Sequence, residues 1–109
     1  MLIKMNCANG GGGGSVGMEY RQKQKTGGGS SNISVTDLTH KPRAVMLIYS
    51  TQYYYWTEES PSIMEYYNNG THDSTYDVTG TFTVTDTSFV TPNFELSGST
   101  VQMVVATAY

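Results

Sequence analysis

Six aromatic residues come closest to a chemistry in this sequence: Tyr53, Tyr54, Tyr55 and Trp56 in one run, with Tyr66 and Tyr67 further on. Aromatic faces stack on sugar rings, and tyrosine hydroxyls add hydrogen bonds at low entropic cost. On a strand, Tyr53 and Tyr55 point one way and Tyr54 and Trp56 the other. One pair is therefore expected in a core, and the other exposed or at a subunit interface.

Other reactive residues form weaker patterns. His40, His72, Asp73 and Asp77 are the metal-like residues, but no paired-ligand spacing joins them, so no metal is expected. Glu58, Glu59 and Glu65 supply carboxylates without anything to oppose two of them as a glycosidase requires. Cys7 has no histidine or basic neighbour to make it a thiolate and reads as a small packed residue. Residues 10–14 are all glycine but lack the following Lys-Ser/Thr of a phosphate loop. The expectation is no catalytic residue, no cofactor and no enzyme.

The elements that must hold these residues divide near residue 31. Residues 9–15 (NGGGGGS) and 26–31 (TGGGSS) cannot build a core, because ordering glycine costs the most backbone entropy. Residues 1–31 thus read as an extended glycine-rich arm, with Met1, Leu2, Ile3 and Met5 as an apolar tag and Arg21, Lys23 and Lys25 as charged contacts for assembly. Within it, residues 18–25 read as an extended strand added to a neighbouring sheet or as a solvated loop. Residues 32–109 read as the folded domain. Residues 32–38 give a first strand, with Ile33 and Val35 on one face. The apolar run 44–49 (AVMLIY) gives a central strand buried on both faces. Asn68-Asn69-Gly70 signals a turn. Residues 76–85 alternate, with Tyr76, Val78, Gly80, Phe82 and Val84 on one face and a row of threonines on the other. Val101, Met103 and Val105 mark a final strand. Short strands separated by polar turns, with no convincing helix, indicate an all-β fold, a small antiparallel β-sandwich.

At 109 residues the chain is one domain at most. Roughly 75–80 residues beyond the arm make a marginal core, which favours oligomerisation. Lys4, Arg21, Lys23, Lys25, Lys41 and Arg43 precede a body with no lysine or arginine and seven acids, Glu58, Glu59, Glu65, Asp73, Asp77, Asp86 and Glu95. Such a basic arm on an acidic body suits docking of one copy on another. The arm's few charges make nucleic acid an unexpected partner. The apolar start is too short to cross a membrane or to form a signal-peptide core, and the single cysteine suits folding in a reducing cytoplasm.

Residues 35–45 read V-x-x-L-x-x-K-P-x-x-V, with Val35, Leu38, Lys41, Pro42 and Val45, and lead into the apolar strand. The chain closes with Leu96-Ser97-Gly98-Ser99-Thr100-Val101 and Ala106-Thr107-Ala108-Tyr109. Behind a glycine-rich lead, this layout resembles the small β-sandwich domains of bacteriophage tail fibres and tail-associated virion proteins, over about residues 32–109. Members often carry an aromatic residue before the Lys-Pro, where this chain has His40. The resemblance implies a non-enzymatic virion structural protein, made in the bacterial host cytoplasm, that contacts other virion proteins. It further implies a homo-oligomer, with a trimer favoured, and contact with a host receptor. The alternative expectation is a carbohydrate-binding module that takes a host surface glycan through residues 53–56.

Overall fold

The computed structural model describes residues 16–25, 30–95 and 99–108. The apolar tag Met1, Leu2, Ile3 and Met5, as well as Cys7, both glycine runs and residues 96–98, lie outside the described residues.

The first strands are β1 (Val16–Lys25), β2 (Ser30–Ser31), β3 (Ser34–Val35), β4 (Pro42–Tyr49), β5 (Gln52–Thr57) and β6 (Ile63–Asn68). They are followed by β7 (Thr71–His72), β8 (Val78–Thr79), β9 (Thr83–Val84), β10 (Phe89–Val90), β11 (Phe94–Glu95) and β12 (Ser99–Ala108). The fold is all-β and antiparallel. A large sheet runs β1-β12-β4-β5-β6-β7, with β8 also paired to β6; the sheet β3-β10-β9 and the ribbon β11-β2 form a second layer.

Strand β4 is central because its sequence permits little else. Val45 and Leu47 are buried against the core, and Met46, on the opposite face, is buried between its strand neighbours Val104 and Tyr55. Ile48 is half-buried and Tyr49 exposed, so the expected burial on both faces holds for the first part of the run and not for its end. Pro42, which has no amide hydrogen to give to a ladder, stands at its first position. There the register against β12 shifts: Ala106 faces Ala44 and Thr107 faces Pro42, so Arg43 is the extra residue of a bulge. The β6–β7 hairpin closes on Asn69 and Gly70, with φ of 53° and 81°. Two consecutive left-handed residues make the tight turn whose twist matches the flanking strands.

The core lies between the layers. Val101, Met103 and Val105 of β12, Val45 and Leu47 of β4, Tyr54 and Trp56 of β5, and Met64 and Tyr66 of β6 form one wall. Ile33, Val35, Leu38, Phe82, Phe89 and Phe94 form the other. Each large side chain fully buried here contributes about 1.5–3 kcal/mol. Thr107 is also fully buried, and its hydroxyl has no hydrogen-bond partner among the described residues.

Two sequence expectations change. Residues 76–85 are not one strand. Tyr76 ends a 3-10 turn, Ser74–Tyr76; β8 then pairs with β6 in the large sheet, and β9 pairs with β10 in the second layer. The chain changes layers at Gly80, whose φ is +153° and where an added Cβ would come within 2.9 Å of Pro92 Cβ. Nor does the sheet stop at residue 31. Residues 16–25, assigned to the arm, form a strand antiparallel to β12 from Val16↔Ala108 to Lys25↔Ser99. Residues 18–25 are a strand, as one of the two readings has it, but they pair within the chain's own sheet and not with a neighbouring one.

Candidate interaction face

Strand pairing divides the predicted aromatic patch in two. Tyr54, Trp56 and Tyr66 point into the core. Trp56 stacks on Phe82 with ring centroids 4.1 Å apart and planes 7° apart, and its Nε1–H donates to the Pro61 carbonyl at 3.1 Å. Tyr54 packs edge-on against Phe94 at 5.1 Å. Burial pushes the Tyr54 hydroxyl up to about 12, with Tyr66 and Glu95 adding to the shift. These three residues are packing residues. A patch running over residues 53–56 as one surface therefore does not exist, because successive strand residues alternate faces.

Tyr53, Tyr55 and Tyr67 remain, half-buried on the opposite, outer face. Register places them in rows of directly opposed residues. One row runs Tyr20, Val104, Met46, Tyr55 and Glu65. The next runs Gln22, Gln102, Ile48, Tyr53, Tyr67 and His72. A third brings Met18 beside Ala106 and Ala44. Met18 and Tyr20 are exposed, at 42% and 66%. The second layer packs on the inner face, so no described strand lies over this one. Burial raises the pKa values of Tyr53 and Tyr67 above the ordinary phenol value.

Strand β1 reaches this face because it is pinned from behind. The Arg21 guanidinium donates to Asp37 Oδ1 at 3.0 Å, to the Asp37 carbonyl at 2.8 Å and to Glu19 Oε1 at 3.1 Å. Glu19 also accepts from the Thr39 amide, at 3.1 Å, and from the Thr39 hydroxyl, at 2.9 Å. Burial disfavours the Glu19 carboxylate, but the Thr39 and Arg21 bonds outweigh it, and its pKa falls below the usual range. The Arg21 hydrogen bond likewise lowers Asp37. Arg21, expected as an assembly contact, is thus engaged within its own chain. Lys23 is exposed, and Lys25 ends the strand.

The sheet edges are guarded. Strand β1, at one edge, carries Arg21, Lys23 and Lys25, and β7, at the other, is two residues long. Charge and shortness are the usual devices against edge-to-edge pairing. The charged segment assigned from sequence to the arm is thus itself an edge strand of the sheet. The threonine row is dispersed as well: Thr79 lies on β8, Thr83 on β9, and Thr81 between them.

Of the metal-like residues, His72 and Asp77 meet, with Nε2 3.0 Å from each Asp77 carboxylate oxygen. Glu65 Oε2 joins them at 3.6 Å from the same nitrogen. Asp73 instead caps the 3-10 turn by accepting from the Thr75 amide at 3.1 Å. His40 is held by the Thr39 hydroxyl at 2.9 Å. Glu58 pairs with Arg43 at 3.0 Å. Met18, Tyr20 and Ile48 are not among the residues that the sequence alone singles out. The alternation Met18-x-Tyr20-x-Gln22 carries the signal for the first two; Ile48 is hidden within the apolar run 44–49. No family model, curated protein or solved structure matches the chain.

Proposed function

We propose that the chain is a non-enzymatic structural subunit of a bacteriophage virion, in a tail or fibre, and that its outer sheet face is where copies join. One observation carries the assembly part: a sheet whose edges are guarded presents Met18, Tyr20, Ile48, Tyr53, Tyr55 and Tyr67 on one face with no described strand over it. Tyrosine and methionine are enriched in protein interfaces, where an apolar ring and a polar tip are buried together. A second copy is the occupant, because a small domain with a marginal core gains from burial that a partner copy supplies. The virion assignment rests on the sequence layout of residues 32–109.

Mass spectrometry of purified particles from a culture carrying the gene tests the virion assignment. Peptides of this chain at structural stoichiometry support it; recovery only in the soluble fraction overturns it. The arm is best tested by deleting residues 1–15 rather than 1–31, since the longer deletion removes β1 from the sheet. The shorter deletion should leave the fold intact and prevent incorporation into particles.

Carbohydrate binding is the second reading, favoured by the tyrosine hydroxyls on the outer face. It loses Trp56, the strongest stacking residue. It also loses part of the platform, because Tyr53 and Tyr67 turn one ring face each toward the other. A glycan array decides: selective binding abolished by Tyr55→Ala supports the module, and an array without signal removes it.

A further inference from the structure

We propose that Glu65, His72 and Asp77 form a binding site for a divalent transition-metal ion, of which Zn²⁺ is the best fit. The site stands at the β6–β7 end of the outer face and rests on side-chain geometry, not on the virion assignment. The three residues come from separate places: Glu65 from β6, His72 from β7, and Asp77 from just before β8. Register brings them together, since Tyr67 faces His72 and Met64 faces Val78.

One ligand atom from each residue lies within 4.8 Å of the others. The His72 nitrogen is 3.0 Å from Asp77 Oδ2 and 3.6 Å from Glu65 Oε2. A tetrahedral ion with bonds of about 2.0–2.2 Å sets its ligand atoms about 3.3–3.6 Å apart. The His72–Glu65 spacing already fits; an ion needs the His72–Asp77 contact to widen slightly and the two carboxylates, within 4.8 Å of each other, to close around it.

The frame is held by groups outside the ligand set. The Tyr66 amide donates to Asp77 Oδ1 at 2.7 Å, leaving Oδ2 for an ion. The Tyr67 ring lies 5.1 Å from the imidazole. Charge favours a cation here as well. The Asp77 side chain is only 12% exposed, and the sequence has no lysine or arginine after Arg43. Among the described residues, His72 is the basic group that faces both carboxylates. Two carboxylates around one imidazole leave a negative site that a divalent ion balances. Imidazole with carboxylates suits zinc and its neighbours, whereas calcium and magnesium demand more oxygen ligands. Three protein ligands leave one tetrahedral position for water or for a group from another molecule.

The test is calorimetric titration of the full chain with Zn²⁺ alone, after chelator treatment, on a Cys7→Ser background that removes the thiol. One ion per chain is expected, with a rise in Tm of roughly 10–20 °C at about 100 times Kd. His72→Ala and Asp77→Asn should each lower affinity by about 100-fold or more, while His40→Ala retains it. Melting in chelator checks that every variant folds, and Asn at position 77 can still accept the Tyr66 amide. Absence of binding by the parent at millimolar Zn²⁺, or unchanged affinity in His72→Ala, overturns the proposal.

Discussion

Tyr53 and Tyr67 stand ring to ring across β5 and β6, with centroids 4.8 Å apart and planes within 5°. That separation matches the spacing of adjacent strands, so both rings rise from the sheet side by side. Such a pair is worth about 0.5–1.5 kcal/mol beyond its burial. A double-mutant cycle with Tyr53→Ala and Tyr67→Ala should return a coupling of that size in denaturant unfolding. Additive losses would mean that the stack contributes nothing of its own.

Trp56 belongs to the core, not to a ligand site. Trp56→Ala should cost about 3–5 kcal/mol, because it removes the stack on Phe82 and leaves a cavity. Trp56→Phe keeps a ring but loses the bond to the Pro61 carbonyl, and should cost about 1 kcal/mol from that bond, plus any loss of packing. Urea unfolding of the two variants measures both. A Trp56→Ala protein as stable as the parent would contradict the placement.

Acid should loosen β1. The folded pKa values of Glu19 and Asp37 lie below their ordinary values of 4.5 and 3.8. Depressed carboxyls contribute stability that is complete above the unfolded value and is lost as pH falls through the folded one. Stability should therefore decline below about pH 4.5 as the unfolded chain takes up protons first. Arg21→Leu should shallow that decline, since both carboxyls lose a partner. Unfolding curves from pH 7 to pH 3 check it; parallel profiles for parent and variant would contradict the ion-pair account.

Thr107 is fully buried with an unpartnered hydroxyl. Thr107→Val keeps the shape and removes a desolvated polar group. It should raise stability by about 1 kcal/mol. A loss of stability in denaturant unfolding would show that the hydroxyl has a partner.

Much of the large sheet was legible in the sequence. The apolar run before Tyr49, the Asn69-Gly70 turn and the alternation of Val101, Met103 and Val105 each carry a local signal. The opposite orientations of Tyr53 and Tyr54 follow from strand geometry alone. Strand β1 was harder, because Glu19, Arg21 and Lys23 look like a solvated segment until Asp37 and Thr39 are brought against it. The break at Gly80 was hidden by a threonine alternation that continues on both sides of it. The meeting of Glu65, His72 and Asp77 depends on the pairings of β6 with β7 and β8, which no spacing in the chain reveals.

Association through the outer face is the central claim, and sedimentation velocity of the full chain tests it most directly. The parent should sediment as an oligomer. A Tyr20→Lys/Tyr55→Lys variant should sediment as a folded monomer, with an unchanged far-ultraviolet circular dichroism spectrum. Thr83→Lys, on β9 in the other layer, should remain assembled. A parent that is monomeric at every concentration, or a double variant that stays assembled, would contradict the account.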